Sequence, residues 1–295
     1  MDSATTSKLA LLLGTPRLAG QSLGGQHGVR HYRLTLADGR VAFAKVHNPN
    51  SSGNAAGDPQ ATGLFAAEAA SLRWLAAAGA AAVPAVLACD QDCLVIEWID
   101  AGSPNAAAAI GFGRDLASLH AAGAEHFGAP WPGVIAGLPL PNDPADAWPD
   151  WYAANRLLPY IEIARNAGTL TQTDVTLLES AAARSAELAG TPEPPSRIHG
   201  DCWTGNVLWS GGRGWLIDPA AHGGHRETDL AMLALFGAPY LDQIKAGYAE
   251  VAPLADGWRG RVPLHQLHPL LVHVCLFGGS YRDSALGAAR AVLAV

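Results

Sequence analysis

Lysine is scarce in this chain: Lys8, Lys45 and Lys245 are the only three in 295 residues, and arginine carries the rest of the positive charge. No stretch gathers these cations into a basic patch, and a formal net charge of −7 runs against a nucleic-acid partner. Apolar runs are short. None approaches the roughly 20 residues of a membrane span. The opening MDSATTSKLALLLG lacks a basic start and a small-residue cleavage site, and its LALLL reads as one amphipathic helical turn. The expected compartment is the cytoplasm, with no membrane partner. The four cysteines (Cys89, Cys93, Cys202, Cys275) form no CxxC pair and keep no regular spacing. Free buried thiols are expected, although Cys89 and Cys93 are near enough to bridge. No internal repeat, heptad or long low-complexity tract is present.

What is present is ordinary globular material, 49% apolar and 15% charged, long enough for one large domain or two lobes sharing a cleft. RHYRLTL and RVAFAKV, joined by Ala37-Asp38-Gly39, read as a hairpin over residues 30–47. SLGGQHG before it reads as a flexible loop, and the polar NPNSSGNAAGDPQATG after it as a surface loop. LFAAEAASLRWLAAAG has helical period and stops at Gly79. PAVLACD and CLVIEWID then read as two strands, and Ala101 to Asn105 as a hinge. Beyond the hinge the chain is mostly helical, over 106–122, about 149–167 and about 172–190, with two or three helices after Leu241. The Pro-, Gly- and Trp-rich stretch between the first two helices reads as irregular. The pattern is α+β and bilobal: residues 1–100 as a small antiparallel-sheet lobe that binds nucleotide, residues 101–295 as a larger helical lobe for catalysis and acceptor binding.

The chemistry concentrates between His199 and Met232. HGDCWTGNVLW, LIDP and GHRETDLAM put Asp201, Asn206 and Asp218 at the edges of two short apolar strands. Phosphoryl transfer to a hydroxyl needs that layout: Asp201 to accept the proton, Asn206 and Asp218 to supply oxygens to the Mg²⁺ that bridges the phosphates of ATP. A turn role for Asp201 alone explains none of this spacing. Lys45 sits in the apolar strand VAFAKV, and a helix carrying Glu68 follows. A strand Lys paired with a helix Glu orients ATP phosphates, whereas a snorkelling edge lysine is the plainer alternative. Gly24 and Gly25 lie one strand earlier, where a loop covers phosphates, though they do not match GxGxxG. Backbone groups of Glu97 and Ile99 are candidates to meet the adenine edge. His199 reads as a brace for its loop, and Asp229 as either a helix N-cap or a binder of the catalytic-loop backbone. His222 with His225, and His265 with His268, have three-residue spacings but no convincing third zinc ligand.

HGDCWTGNV, LIDPAAHGGHRETDLAMLALFG, the upstream DWYAANRLLP and the tail HQLHPLLVHVCLFGGSY are similar, in order and spacing, to fructosamine (ketosamine) kinases, from about Leu23 to the end. Aminoglycoside and choline kinases share the HGD, Asn and Asp of this pattern, but not the Trp or the GHRE run. The resemblance implies a protein-kinase-like fold and an ATP- and Mg²⁺-dependent kinase. Its acceptor would be the C3 hydroxyl of a ketoamine, on a small molecule or a protein lysine. It also implies Asp201 as base, Asn206 and Asp218 as metal ligands, Lys45 and Glu68 as the phosphate-positioning pair and Trp203 as a wall of the sugar site. Packing behind the loop is the competing role for Trp203. Cys202 replaces the more usual Leu, and the Gly-rich loop carries no cysteine, so a disulfide-linked dimer through it is not expected; a monomer or weak homodimer is. Two other readings stand beside this one. A phosphotransferase of the same fold acting on an aminoglycoside or amino alcohol is disfavoured by Trp203 and GHRE. A non-catalytic nucleotide-binding regulator is disfavoured because every residue needed for transfer is present.

Overall fold

The structure, a computed structural model, describes residues 1–26, 28–48 and 63–295. The polar stretch after His47 falls, except for its two ends, outside the described residues. The N-terminal apolar run is longer than one turn. Helix α1 (Ser3–Leu12) begins where the Asp2 carboxylate accepts a hydrogen bond from the Thr5 amide at 2.8 Å.

Strands β1 (Leu18–Gln26), β2 (Val29–Leu36) and β3 (Val41–His47) are followed by helix α2 (Leu64–Ala76), β4 (Val86–Cys89) and β5 (Cys93–Glu97). They form one antiparallel sheet in the order β1-β2-β3-β5-β4. SLGGQHG was expected to be a loop, yet most of it is the far end of β1, paired with β2 across a register shift between Ser22 and Gly25. Period-two alternation gives the sheet two different faces. Ala42, Ala44 and Val46 join Tyr32, Leu34 and Leu36 beneath α1, where Leu9 is fully buried. That burial is worth about 2 kcal/mol. Lys8 of α1 reaches Asp92 at 2.5 Å and Asp90 at 3.2 Å, tying the helix to the β4–β5 turn. Phe65, Ala69 and Leu72 of α2 pack with Leu94 and Ile96 on the opposite face. Lys45 belongs to this second face, with His31 beside it on β2.

Helix α3 (Ala106–Ala121) starts at the end of the expected hinge, capped by the Asn105 side chain, which accepts from the Ala108 amide at 2.9 Å. The Pro-rich stretch after it is more ordered than its composition suggests, for it contains a hairpin of β6 (Gly133–Ile135) and β7 (Leu138–Leu140). Helix α4 (Trp148–Tyr152) runs through a π-helical segment, Ala153–Leu157, into α5 (Leu158–Asn166). Next come α6 (Gln172–Ala183) and the short α7 (Ser185–Leu188), so the expected 172–190 helix breaks at Arg184. Four short strands follow: β8 (Ser196–Ile198), β9 (Val207–Ser210), β10 (Arg213–Leu216) and β11 (His222–Gly224). β9 pairs with β10 and β8 with β11.

Helix α8 (Glu227–Leu235) precedes three tail helices, α9 (Leu241–Val251), α10 (Trp258–Phe277) and α11 (Arg282–Leu293). α9 crosses α3 closely because glycine stands on both sides. A Cβ on Gly113 would meet the Ile244 carbonyl oxygen at 2.0 Å, and one on Gly247 the Ile110 oxygen at 2.1 Å. One core lies among α4, α5, α6, α10 and α11, and a second beneath α3, α8 and α9. All four cysteines are free thiols. Among the described residues no helix is long and apolar enough to cross a membrane.

Candidate active site

The segment between β8 and β9 is short and bonded at nearly every step. The Asp229 carboxylate accepts from the His199 amide at 2.7 Å and the Gly200 amide at 3.0 Å. α8 begins after Arg226, and no side chain caps it. Of the two readings of Asp229, the structure therefore supports its bond to this loop. His199 Nε2–H donates to the Ile217 carbonyl at 2.9 Å, so its Nδ1 is left to accept from the Asp201 amide at 3.2 Å. Burial holds this imidazole below its ordinary pKa, consistent with a neutral brace. The Asn206 side-chain amide donates to the Asp201 carbonyl at 2.9 Å and to its carboxylate at 2.7 Å. The Asn206 oxygen is thereby turned away from Asp201. Burial raises the Asp201 carboxyl to about 7, against the lowering effect of Asn206.

Asp218 follows β10 with a left-handed backbone, φ +52°, and faces the sheet. Lys45 Nζ donates to Asp218 Oδ1 at 2.7 Å and to the two Glu68 oxygens at 2.9 and 2.8 Å. One ammonium thus joins a strand, a helix and a loop drawn from both parts of the molecule. Lys45 and Glu68 are both buried, so the plainer surface role for this lysine does not hold. Burial alone would lower the Lys45 pKa, but the two carboxylates outweigh it and hold it above its usual value. Burial pushes Glu68 upward against the pull of Lys45, whereas Asp218, also desolvated, is held down by Lys45.

These groups line one cavity of about 760 Å³ between the sheet and the helical region. Lys45, Glu68, Asp201, Asn206 and Asp218 all reach it, and so does Trp203. The Trp203 indole lies over its own loop, 2.3 Å from where a Gly205 Cβ would stand, so Gly205 is what lets the ring fold back. It remains 37% exposed, which favours a cavity wall over packing behind the loop. From the β1–β2 hairpin, Gln26 and Gly28 line the cavity, whereas Gly24 and Gly25 are exposed further along β1. Glu97 and Ile99 do not border it. The Glu97 amide donates to the Ala85 carbonyl at 2.9 Å, so of that residue's backbone only the carbonyl is left as a candidate for an adenine edge. Asp218 brings a charged carboxylate oxygen and Asn206 a neutral amide oxygen to the same cavity lining, a donor chemistry suited to a hard divalent cation.

Residues 43–294 match the family model described as fructosamine kinase. The chain belongs to the fructosamine kinase family. A "probable ketoamine kinase" of Synechocystis is 34% identical over 230 residues, which cover 75% of this chain and 76% of that protein. The structure of a "putative fructosamine-3-kinase" from Thermobifida fusca superimposes with a TM-score of 0.94 at 48% identity, over the whole of both chains. The ADP-bound aminoglycoside phosphotransferase APH(2'')-Ib has a TM-score of 0.64 at 14% identity over 99% of each chain, which shows a shared protein-kinase-like fold. As a member of this family the protein is an ATP-dependent phosphotransferase with an antiparallel-sheet N-terminal region and a helical C-terminal one.

Several residues of the site escape a reading of the sequence. His120 Nε2 lies 3.0 Å from Asp229 Oδ2, and its Nδ1 2.8 Å from the Tyr248 hydroxyl, so α3 and α9 support the loop through Asp229. Val134 to Leu138 of the β6–β7 hairpin form one wall of the cavity; Phe236, His273, Phe277 and Tyr281 form another. The last three are spaced by four, a face-forming signal that the sequence does carry. The histidine pairs also sort differently from their spacing. His225 and His265, one from each pair, meet Glu227, with ligand atoms within 4.8 Å of one another. Yet the Glu227 oxygens are held by Arg261 at 2.9 and 2.5 Å, so a guanidinium already supplies the positive charge there.

Proposed function

We propose that this enzyme transfers the γ-phosphoryl group of ATP to the C3 hydroxyl of a fructosamine or related ketoamine. The observation that carries the reading is the convergence of Lys45, Glu68, Asp201, Asn206 and Asp218 on one cavity whose wall includes Trp203. The acceptor hydroxyl lies against Asp201, and its proton passes to the Asp201 carboxylate as the oxygen bonds to phosphorus and ADP departs. The Asn206 bond keeps the carboxylate in one orientation. Lys45, aligned by Glu68, holds phosphate oxygens, and Gln26 and Gly28 lie above them. Of the other nucleotide-side candidates, Gly24, Gly25, Glu97 and Ile99 lie outside the cavity lining, and only the Glu97 carbonyl is kept for the adenine edge in this reading. Asn206 and Asp218 would hold Mg²⁺, which when bound would neutralise phosphate charge. Trp203 stacks on the sugar. The nucleotide side corresponds to residues 1–100 and the acceptor side to 101–295, a division supported by the clustering of the lining residues on either side of the hinge.

A phosphate beside the ketoamine carbonyl makes the adduct prone to elimination and releases the amine, so the reaction is a deglycation step. Four free thiols accord with a cytoplasmic setting. The test measures ATP consumption with fructosyl-lysine and with an aminoglycoside. Turnover of fructosyl-lysine alone is expected. Turnover of the aminoglycoside alone would move the enzyme to another acceptor class, and tight ATP binding with neither acceptor consumed would make it a non-catalytic regulator.

A further inference from the structure

The carboxylates occupy one end of the cavity, and the other end is made of rings. Trp203 meets Phe236 edge-on with centroids 5.8 Å apart, and Phe236 meets His273 at 4.9 Å. His273 in turn meets Phe277 at 5.5 Å and Tyr281 at 4.7 Å. The ladder leads from the loop of Asp201 outward to Phe277, which is 52% exposed. Among the described residues the acids that line the cavity are Glu68, Asp201 and Asp218, and its cation is Lys45. The ring end has neither. His273 is there, but its Nδ1–H donates to the Pro269 carbonyl at 2.7 Å, which leaves Nε2 as an acceptor. Burial lowers its pKa below the ordinary histidine value, so it adds no positive charge at neutral pH.

Such a wall selects by charge. A polyamine needs several carboxylates to replace its hydration, and a free carboxylate needs a cation or a set of amides; neither is offered. A single ammonium with an apolar substituent is served well, because ring faces attract the cation and bury the substituent.

We infer that the rings beyond Trp203 on this ladder, Phe236, His273, Phe277 and Tyr281, receive the amine part of the ketoamine, and that they favour one ammonium bearing an alkyl or aryl group over a polyamine or an amino acid joined through its α-amine. This rests on the ketoamine reading above. With the C3 hydroxyl at Asp201, the amine at C1 extends along the ladder. His273 Nε2 accepts a hydrogen bond from the ammonium or a neighbouring hydroxyl.

The test compares kcat/KM for fructose adducts of methylamine, benzylamine, glycine and spermidine. The benzylamine adduct is expected to exceed the glycine and spermidine adducts by about tenfold, the scale of one well-placed ring contact. Phe277→Ser, at an exposed position, should bring the benzyl-to-methyl ratio toward one, chiefly through KM, without changing the melting temperature. Equal wild-type rates on benzylamine, glycine and spermidine adducts would overturn the inference while leaving the ketoamine reading intact, as would an unchanged ratio in Phe277→Ser. No turnover of the methylamine adduct, or of any other, would overturn both.

Discussion

The two ends of the cavity are built on different physics. At one end each charge has a named partner: Lys45 has Glu68 and Asp218, and Asp201 has the Asn206 amide. At the other, contacts are ring edges and faces, and the outermost ring is half in solvent. Directional, charge-assisted bonds fix atoms to a fraction of an ångström, which group transfer requires. Ring contacts bury area without dictating one pose, which suits a variable substituent. In the reading proposed above, the same cavity couples a rigid reaction centre to a permissive acceptor end.

Substitutions should separate the ends by the kinetic constant they change. The largest effect is expected at the charged end, where Asp201→Asn should lower kcat by roughly 10²–10⁴-fold through loss of the proton acceptor. ATP binding, followed by calorimetry, should persist. A near-normal kcat would remove Asp201 from the role given to it. At the ring end, Trp203→Ala should raise KM for the acceptor by about tenfold with a smaller change in kcat, as expected for lost stacking. If kcat fell as far as in Asp201→Asn, the contrast between the two ends would dissolve.

A smaller effect concerns what holds the ring end in place. Glu227 of α8 pairs with Arg261 of α10, the helix that carries His273 and Phe277. Burial alone would raise the Glu227 carboxyl, but His265 and Arg261 bring it down from 4.5 to about 2. A depressed acid stabilises the folded state above its unfolded value of 4.5, and that contribution is lost as pH falls toward about 2. Melting temperature should therefore drop less steeply across this window in Glu227→Gln than in the native chain. Parallel curves would mean that the pair does not govern acid stability.

The charged end was legible in the sequence because each of its two halves is local, although only folding brings Lys45 to Asp218, 173 residues away. Asp201 and Asn206 are five residues apart, Asp218 ends the strand after the next turn, and Lys45 and Glu68 sit on adjacent elements of unmistakable period. Of the ring end only Trp203 was singled out in the sequence, because Phe236 and His273 come from separate elements and only folding makes them its neighbours. His120 was unreadable for the same reason: it lies on α3, 109 residues from Asp229. The β6–β7 hairpin was lost in a Pro- and Gly-rich stretch whose composition signals turns more strongly than strands. The β1 strand was missed because glycine lowers strand propensity, while pairing with β2 overrides it. The three-residue spacing of the histidines, set aside for want of a third ligand, links residues that joined different networks.

The left-handed backbone at Asp218 sets folding and chemistry at odds. Glycine would adopt that conformation without the strain of a Cβ, by roughly 1 kcal/mol, and would remove a carboxylate that crowds Glu68. A redesign that rewarded only thermal robustness would be drawn to this position early. The same exchange would take from the buried Lys45 ammonium one of the two carboxylates that hold it, so the position belongs on any list of residues to hold fixed.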